Sequence, residues 1–175
     1  MTGNKVIISP KTKVGEFLEA YPELESLLLE MSPAFSKLKN PILRNTIGKV
    51  ASLQQAAAIG GLKIDEMVNR LRHAAGQSDS HVEGEDTHYL ETMNPSWFDE
   101  SKITIHFDAS SIINSGGSPM NEILSKTKDL KDNEILKLQT PFVPAPIIDI
   151  LKKKGFRIFS IKKGDVILTY IEKLN

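Results

Sequence analysis

The stretch Gln77-Ser-Asp-Ser-His-Val-Glu-Gly-Glu-Asp-Thr-His88 decides how this chain of 175 residues is organised. The stretch is polar and acidic, and it contains almost no apolar residue that could anchor it in a core. Apolar patterns typical of packed elements lie on both sides of it. We therefore predict a helical domain at residues 1–77, an acidic linker at 78–93 and a second domain at 94–175.

Charge follows the same division, although the net charge of the whole chain is zero. Residues 1–77 carry ten basic and seven acidic side chains, and residues 102–175 carry twelve and eight. Residues 78–101, which lie between these two segments, carry seven acidic side chains and no lysine or arginine. The linker is thus an acidic tether between two mildly basic domains. Such a tether could lie across either domain, but we expect a solvated spacer.

Composition narrows the class of protein. The chain is 40% hydrophobic and 25% charged, which is ordinary for a soluble protein. No apolar run approaches the roughly 18 to 20 residues that a membrane span needs, and no apolar segment after the N-terminus is typical of a secretory signal. We therefore expect a cytoplasmic protein with no membrane partner.

The chain contains no cysteine. It therefore has no thiolate nucleophile, no persulfide carrier and no thiolate ligand for an iron–sulfur cluster. The motifs of phosphate-binding loops, dinucleotide-binding folds, serine hydrolases and zinc proteases are absent as well. We predict no catalytic residues, no cofactor and no metal.

Residues 1–77 have the start and stop signals of short helices throughout. Four side chains can cap a helix N-terminus: Thr12, Ser32, Asn40 and Ser52. Proline follows two of them, at Pro33 and Pro41, where it suits the first turn of a helix. Ser52 also forms a capping box with Gln55, and Gly60-Gly61 ends that helix. The last helix carries an apolar stripe of Ile64, Met67, Val68 and Leu71.

Residues 94–175 alternate between strand and helix patterns. Period-two alternation predicts strands at 103–107, 135–139, 156–161 and 166–171. Helical spacing predicts helices at 119–130 and around 147–151, and residues 108–117 are predicted as a loop. The order β-α-β-α-β-β predicts an α+β two-layer sandwich, with two helices on one face of a mixed sheet.

The first domain resembles a known family in its local sequences. They are Tyr21-Pro-Glu-Leu24, Met31-Ser-Pro-Ala-Phe-Ser-Lys-Leu-Lys-Asn-Pro-Ile-Leu-Arg44, Ala51-Ser-Leu-Gln-Gln-Ala-Ala57 and Leu71-Arg72. Over roughly residues 5–76 the chain resembles the domain of unknown function DUF1858. The resemblance implies a compact helical domain related to the N-terminal segments of di-iron iron–sulfur repair proteins and to a redox-disulfide domain associated with hybrid-cluster proteins. Those relatives carry cysteines about where Met31-Ser-Pro-Ala34 stands here.

The second domain resembles the TusA-like sulfur-carrier fold, and more closely its branch DUF2249, over roughly residues 94–172. The segments that carry the resemblance are Asn94-Pro-Ser-Trp97, Gly116-Gly-Ser-Pro-Met120 and Pro141-Phe-Val-Pro-Ala-Pro-Ile147. In the sulfur carriers a Cys-Pro pair stands where Ser118-Pro119 stands here. An alcohol is not appreciably ionised at a helix N-terminus, so we predict that Ser118 caps the following helix and is not a nucleophile.

Several residues are candidate contacts for a ligand or a partner. The turn before Ser118 could let a small anion or a partner's carboxylate approach backbone N–H groups. The candidates are Gly116, Gly117, Ser118 and Pro119 in the second domain and Arg44, Arg70 and Arg72 in the first. Trp97 and Phe98 are predicted to pin the end of the linker to the second core, with an exposed partner-binding aromatic as the alternative.

Two other patterns are open to a functional reading. Ala57, Gly61 and Met67 fit a helix-turn-helix spacing, and the helix that follows would expose Asn69, Arg70, Arg72 and His73 to DNA. The positive charge of this domain is small and spread out, so plain packing is favoured and nucleic acid is not the expected partner. His81 and His88 lie among linker acids, but their spacing matches no compact ligand motif.

The favoured function is a non-enzymatic binding or adaptor protein with a protein partner, accessory to nitric-oxide, redox-metal or sulfur metabolism. One alternative is a helix-turn-helix DNA-binding regulator with a ligand-sensing C-terminal domain. Another is an enzyme of sulfur transfer that works with a partner's cysteine. The sequence leaves the oligomeric state open.

Overall fold

The computed structural model describes residues 5–84 and 88–174, and the chain divides into two compact units, Met1–His88 and Tyr89–Asn175. We call them the helical unit and the sheet unit. The described part of the first is helical, and the second contains a four-stranded mixed sheet with helices. The predicted succession of a helical domain and an α+β domain is confirmed at this level. Of the predicted linker, residues 78–84 lie in the helical unit and residues from Tyr89 lie in the sheet unit.

The helical unit contains five short α-helices within its described residues. They are α1 (Val14–Ala20), α2 (Glu25–Met31), α3 (Pro41–Ile47), α4 (Leu53–Gly60) and α5 (Ile64–Ala74), with 3-10 helices at Pro22–Leu24 and Pro33–Lys39. Their apolar faces enclose one core, in which Phe17, Leu53 and Leu71 are fully buried. The predicted apolar stripe of α5 is confirmed, because all four of its members are buried.

Most of the predicted helix signals are confirmed. The side chain of Ser32 accepts the N–H of Ala34, that of Asn40 accepts the N–H of Ile42, and Ser52 forms its capping box with Gln55. Gly61 ends α4 in the left-handed conformation, with φ 67°.

The predicted cap at Thr12 is wrong. Helix α1 begins after Lys13, and the Thr12 hydroxyl instead accepts the N–H of Ser9 at 3.0 Å. Backbone carbonyls serve the first N–H groups of α1: Val14 donates to Ala51 O at 2.9 Å and Gly15 to Gly48 O at 2.8 Å.

The described residues before α1 are held by side chains from the end of the helical unit. The carboxamide of Gln77 accepts the N–H of Ile8 at 3.1 Å and donates to Val6 O at 2.8 Å. It also donates to the hydroxyl of Tyr21, which itself donates to Val6 O. Ile8 is fully buried. Gln77 therefore closes the unit by joining its last described helix to its N-terminal segment.

The sheet unit follows the predicted order with one addition. Its elements are β1 (Ile103–Asp108), α6 (Ser110–Asn114), α7 (Met120–Asp129), β2 (Ile135–Thr140), α8 (Ala145–Lys153), β3 (Arg157–Lys163) and β4 (Val166–Glu172), with a 3-10 helix at Glu100–Lys102. The strands lie in the order β1-β2-β4-β3, with β1 parallel to β2 and the other pairs antiparallel. The expected loop at 108–117 is wrong, since it contains α6, whose first turn is fixed by Ser110 N–H donating to Asp108 Oδ1 at 2.9 Å.

Aromatic side chains cover one face of the sheet. Phe159 and Tyr170 stack on neighbouring strands with ring centroids 4.7 Å apart, and Phe98 lies 4.9 Å from Phe159. Trp97 packs on Phe159 edge to face at 5.3 Å, so the prediction that Trp97 and Phe98 pin this segment to the core is confirmed. Burial here, together with the charge of Glu100, raises the pKa of Tyr170.

A buried carboxylate joins the last strand to this aromatic layer. Glu172 is fully buried, and its Oε2 accepts the Nε–H of Arg157 at 2.7 Å. Lys102 Nζ lies 3.8 Å from the other carboxylate oxygen. The Arg157 guanidinium also lies over the Trp97 ring, 4.8 Å from its centroid. The buried charge thus has two cationic neighbours, as a carboxylate away from water requires.

The structure predicts that Gln77 stabilises the helical unit when this unit is produced alone. Residues 1–88 should melt cooperatively, and the same residues with Gln77→Ala should melt at a lower temperature, because Ile8 N–H loses its partner and Val6 O keeps only the hydroxyl of Tyr21. Each lost hydrogen bond is worth about 0.5–1.5 kcal/mol, and about 1 kcal/mol shifts the Tm of a domain this size by roughly 4–8 °C. Circular dichroism measures both melts. Equal melting temperatures would show that Gln77 does not close the unit.

The hydroxyls of Ser160 and Thr169 lie 2.8 Å apart on adjacent strands, and both residues are fully buried. Ser160→Ala or Thr169→Val alone leaves the other buried hydroxyl without its partner, so each substitution should cost about 1–3 kcal/mol of unfolding free energy. The double variant should be more stable than the sum of the two losses implies, with a coupling of about 0.5–3 kcal/mol. Urea unfolding of the four proteins measures this, and additive losses would contradict it.

Candidate functional site

Helix α5 presents two flanks beside its buried stripe. Side chains three or four positions apart share one side of a helix, so Lys63, Glu66 and Arg70 fall on one flank. A pocket lies there. Asn69 and Arg72 fall on the other flank, where residues 77–84 run along the helix; we call these residues the strap.

The pocket has a volume of about 130 Å³. Its lining combines apolar and charged side chains: Met31, Leu62, Lys63, Glu66, Met67 and Arg70. Met67 is buried, Met31 and Leu62 are half-buried, and the charged residues are exposed. The pocket is therefore an apolar depression between the end of α2 and the start of α5, with a charged rim.

The rim carries an excess of positive charge. Lys63 Nζ lies 3.4 Å from Glu66 Oε1, in a pair whose side chains are both 70% exposed. Such an exposed pair contributes little to stability. The side chain of Arg70 has no hydrogen bond or ion pair within residues 5–84 and 88–174. Arg70 thus leaves five N–H donors at the mouth of an apolar pocket.

The strap is bound to α5 through its backbone. The side-chain amide of Asn69 accepts the N–H of Ser80 at 2.9 Å and donates to its carbonyl at 3.1 Å. The Nε–H of Arg72 donates to Ser78 O at 2.6 Å. Residues 78–80 are therefore held to α5 and do not form the solvated spacer that the composition suggested.

The strap also makes apolar and charged contacts. Val82 packs against the core of the helical unit, and the Cα of Gly84 lies so close to Ile64 that a Cβ there would be 2.5 Å from Cγ2. His73 Nε2 lies 3.0 Å from Asp79 Oδ1. The strap thus covers the face of α5 that the helix-turn-helix hypothesis exposes to DNA. Three of the four residues predicted to face DNA contact the strap, namely Asn69, Arg72 and His73, and Arg70 does not.

The other predicted contacts on the helical unit serve its packing. Arg44 forms an ion pair with Glu25 of α2, and its Nε–H donates to Leu38 O at 3.1 Å. Arg72, besides binding the strap, donates to Ile8 O at 2.8 Å. The structure therefore does not bring Arg44, Arg70 and Arg72 together as one site.

The glycine turn of the sheet unit is used locally. Gly116 N–H donates to Ile113 O at 3.0 Å and Gly117 N–H to Ile112 O at 2.9 Å, so these amides end α6 and cannot also receive an anion. Pro119 is the N-cap residue of α7, and no side chain caps that helix. The predicted cap at Ser118 is wrong, because the unpredicted helix α6 sets the turn. Ser118 is exposed.

No described group of three or more histidine, aspartate or glutamate side chains could hold a metal ion. His81 and Glu83 approach only to 3.9 Å and both are about 90% exposed. Glu85 and Asp86, which are two more of the linker acids near His81 and His88, lie outside the described residues. Nor does the described chain contain a helix long and apolar enough to cross a membrane.

Sequence reasoning singled out Arg70 and Met31 but did not place them together. They are far apart in sequence, and only the packing of α2 on α5 makes them neighbours. No local sequence signal marks the pocket, since a methionine on the apolar side of a helix is typical of a core.

Residues 8–68 match the family model of a domain of unknown function, DUF1858. The match supports the resemblance of the first half of the chain. It includes most of the pocket, but Arg70 and the strap lie beyond its end. No curated protein and no solved structure matches the chain.

Ser52 caps a helix and Ser118 does not, and this difference gives a prediction about stability. Ser118→Ala should change the unfolding free energy by less than about 0.5 kcal/mol, as at other exposed positions without a structural role. Ser52→Ala, the matched control, removes a cap and should cost about 0.5–2 kcal/mol. Thermal or urea unfolding compares the two. A loss at Ser118 as large as that at Ser52 would show that Ser118 caps α7 after all.

Proposed function

We propose that the chain is a non-enzymatic binding or adaptor protein, and that its helical unit holds a protein partner at the pocket beside α5. The size of the pocket carries this proposal. Sites for small molecules and cofactors usually measure about 300–1,000 Å³, whereas a cavity of about 150 Å³ accommodates a benzene-sized group. At about 130 Å³ the pocket suits one apolar side chain.

The lining favours a side chain supplied by a protein. Two of the three apolar contacts are methionines, whose flexible thioethers adapt to different partners and recur at peptide-binding surfaces. A single anchoring side chain in a small pocket, surrounded by a polar rim, is a common arrangement at protein interfaces.

The setting of this function is proposed from the resemblances. The relatives that the resemblance to DUF1858 implies are the basis for an accessory role in nitric-oxide, redox-metal or sulfur metabolism, which we propose for the cytoplasm. The order of strands and helices in the sheet unit supports a TusA-like fold without the sulfur-carrying cysteine. Because this chain has no cysteine, any chemistry that needs a thiol would belong to the partner.

A displayed library of random peptides tests the pocket as a binding site. Peptides enriched on the wild-type chain should lose at least about tenfold in affinity on Met31→Trp, since the larger side chain fills the pocket and tenfold corresponds to about 1.4 kcal/mol. Met93→Trp is the matched control, because Met93 is 79% exposed in the sheet unit. It should bind like wild type.

Biolayer interferometry measures the affinities, and circular dichroism confirms that both variants are folded. The proposal is contradicted if no peptide is enriched on the wild-type chain. It is also contradicted if the enriched peptides bind Met31→Trp as tightly as the wild-type chain.

A further inference from the structure

The charges around the pocket indicate what the partner carries beside its apolar side chain. Lys63 is already paired with Glu66, whereas Arg70 has no partner within the described residues. A guanidinium binds a carboxylate through two parallel hydrogen bonds, a geometry that an ammonium group does not offer. An acidic group next to the anchor would therefore be bound at Arg70.

The strap shows the kind of segment that the opposite flank of α5 holds. It forms no helix or strand, its single apolar anchor is Val82, and its acids include Asp79 beside His73. Asn69 and Arg72 bind its backbone. An acidic, non-helical segment with one apolar anchor thus already lies along this helix, while the pocket on the other flank has no occupant within the described residues.

We propose, on the basis of the function proposed above, that the pocket takes an acidic extended segment of a partner protein. One apolar side chain of that segment enters between Met31 and Met67, and a neighbouring Asp or Glu pairs with Arg70. Positive charge at the rim also steers such a segment toward the pocket.

A nucleic acid fits the pocket less well than an acidic protein segment. Glu66 lies on the rim and repels a continuous run of phosphates more than it repels a single carboxylate placed at Arg70. A nucleic acid also offers no aliphatic side chain for the apolar part of the lining. One apolar depression beside one unpaired guanidinium matches a segment that carries an apolar side chain next to an Asp or Glu.

The test uses a displayed library in which a fixed leucine is flanked by three randomised positions on each side. Selections run in parallel on the full wild-type chain, on Arg70→Glu and on Lys49→Glu. Lys49 is exposed and lies outside the pocket, so it is the matched control for charge. Sequencing gives the ratio of acidic to basic residues at the flanking positions.

We expect an acidic excess on the wild-type chain and on Lys49→Glu, and its loss or reversal on Arg70→Glu. Peptides from the wild-type selection should bind Arg70→Glu at least tenfold more weakly. If peptides are enriched without an acidic excess, if the excess persists on Arg70→Glu, or if Lys49→Glu abolishes it, the inference is overturned and the pocket remains an apolar site. If no selection on the wild-type chain enriches a peptide, the proposed function itself fails.

Discussion

The first N–H groups of an α-helix have no partner within the helix, and in short helices these groups are a large share of the backbone. The helical unit is built of helices only seven to eleven residues long, so the way these donors are bonded determines its structure. Side chains of Ser32, Asn40 and Ser52 serve three helical segments. The start of α1 has no side-chain cap, and α4 receives a backbone bond in addition to its cap at Ser52. Leu53 N–H at the start of α4 donates to Thr12 O at 2.9 Å, and Val14 N–H at the start of α1 donates to Ala51 O.

This exchange places the two helix starts side by side and fixes the chain that precedes α1. The described residues before α1 belong to no strand, so their backbone groups need other partners in the protein. Gln77 and Arg72 supply these partners. Both residues lie at or just after the end of α5, and from Gln77 the chain turns back along that helix as the strap. The position of the strap is therefore a consequence of how the first helix begins.

The sequence predicted those features that depend on neighbours in sequence. The caps at Ser32, Asn40 and Ser52, the stop at Gly61 and the four strands are all local patterns. The carbonyl caps of α1 are not, because any residue supplies a carbonyl and only the fold brings Ala51 to Val14. The error at Thr12 has a local cause instead: its hydroxyl accepts the N–H of Ser9, and Lys13 takes the capping position of α1.

The error at Ser118 in the sheet unit also arises from its neighbours in the chain. Ser118 has the residue type of a cap and precedes a helix, but the five-residue helix α6 ends at the adjacent turn and leaves Pro119 in the capping position. A helix of five residues is too short to show a period of 3.6, so the apolar pattern of the sequence could not predict it. The strap and the pocket were equally hidden, since both depend on residues that come together only when α2, α5 and the N-terminal segment pack.

The packing of α5 bears on the binding proposed at its open flank. Ile64, Val68 and Leu71 are buried in the core, so the helix cannot rotate, and the strap holds its other flank through Asn69 and Arg72. For the partner proposed above, this packing means that association would not have to order the backbone of the site. The side chains of Met31 and Arg70, which are long and less buried than the core, would still have to select a conformation. Because methionine and arginine are adaptable side chains, the proposed site would accept different apolar anchors as long as an acidic group lies next to them.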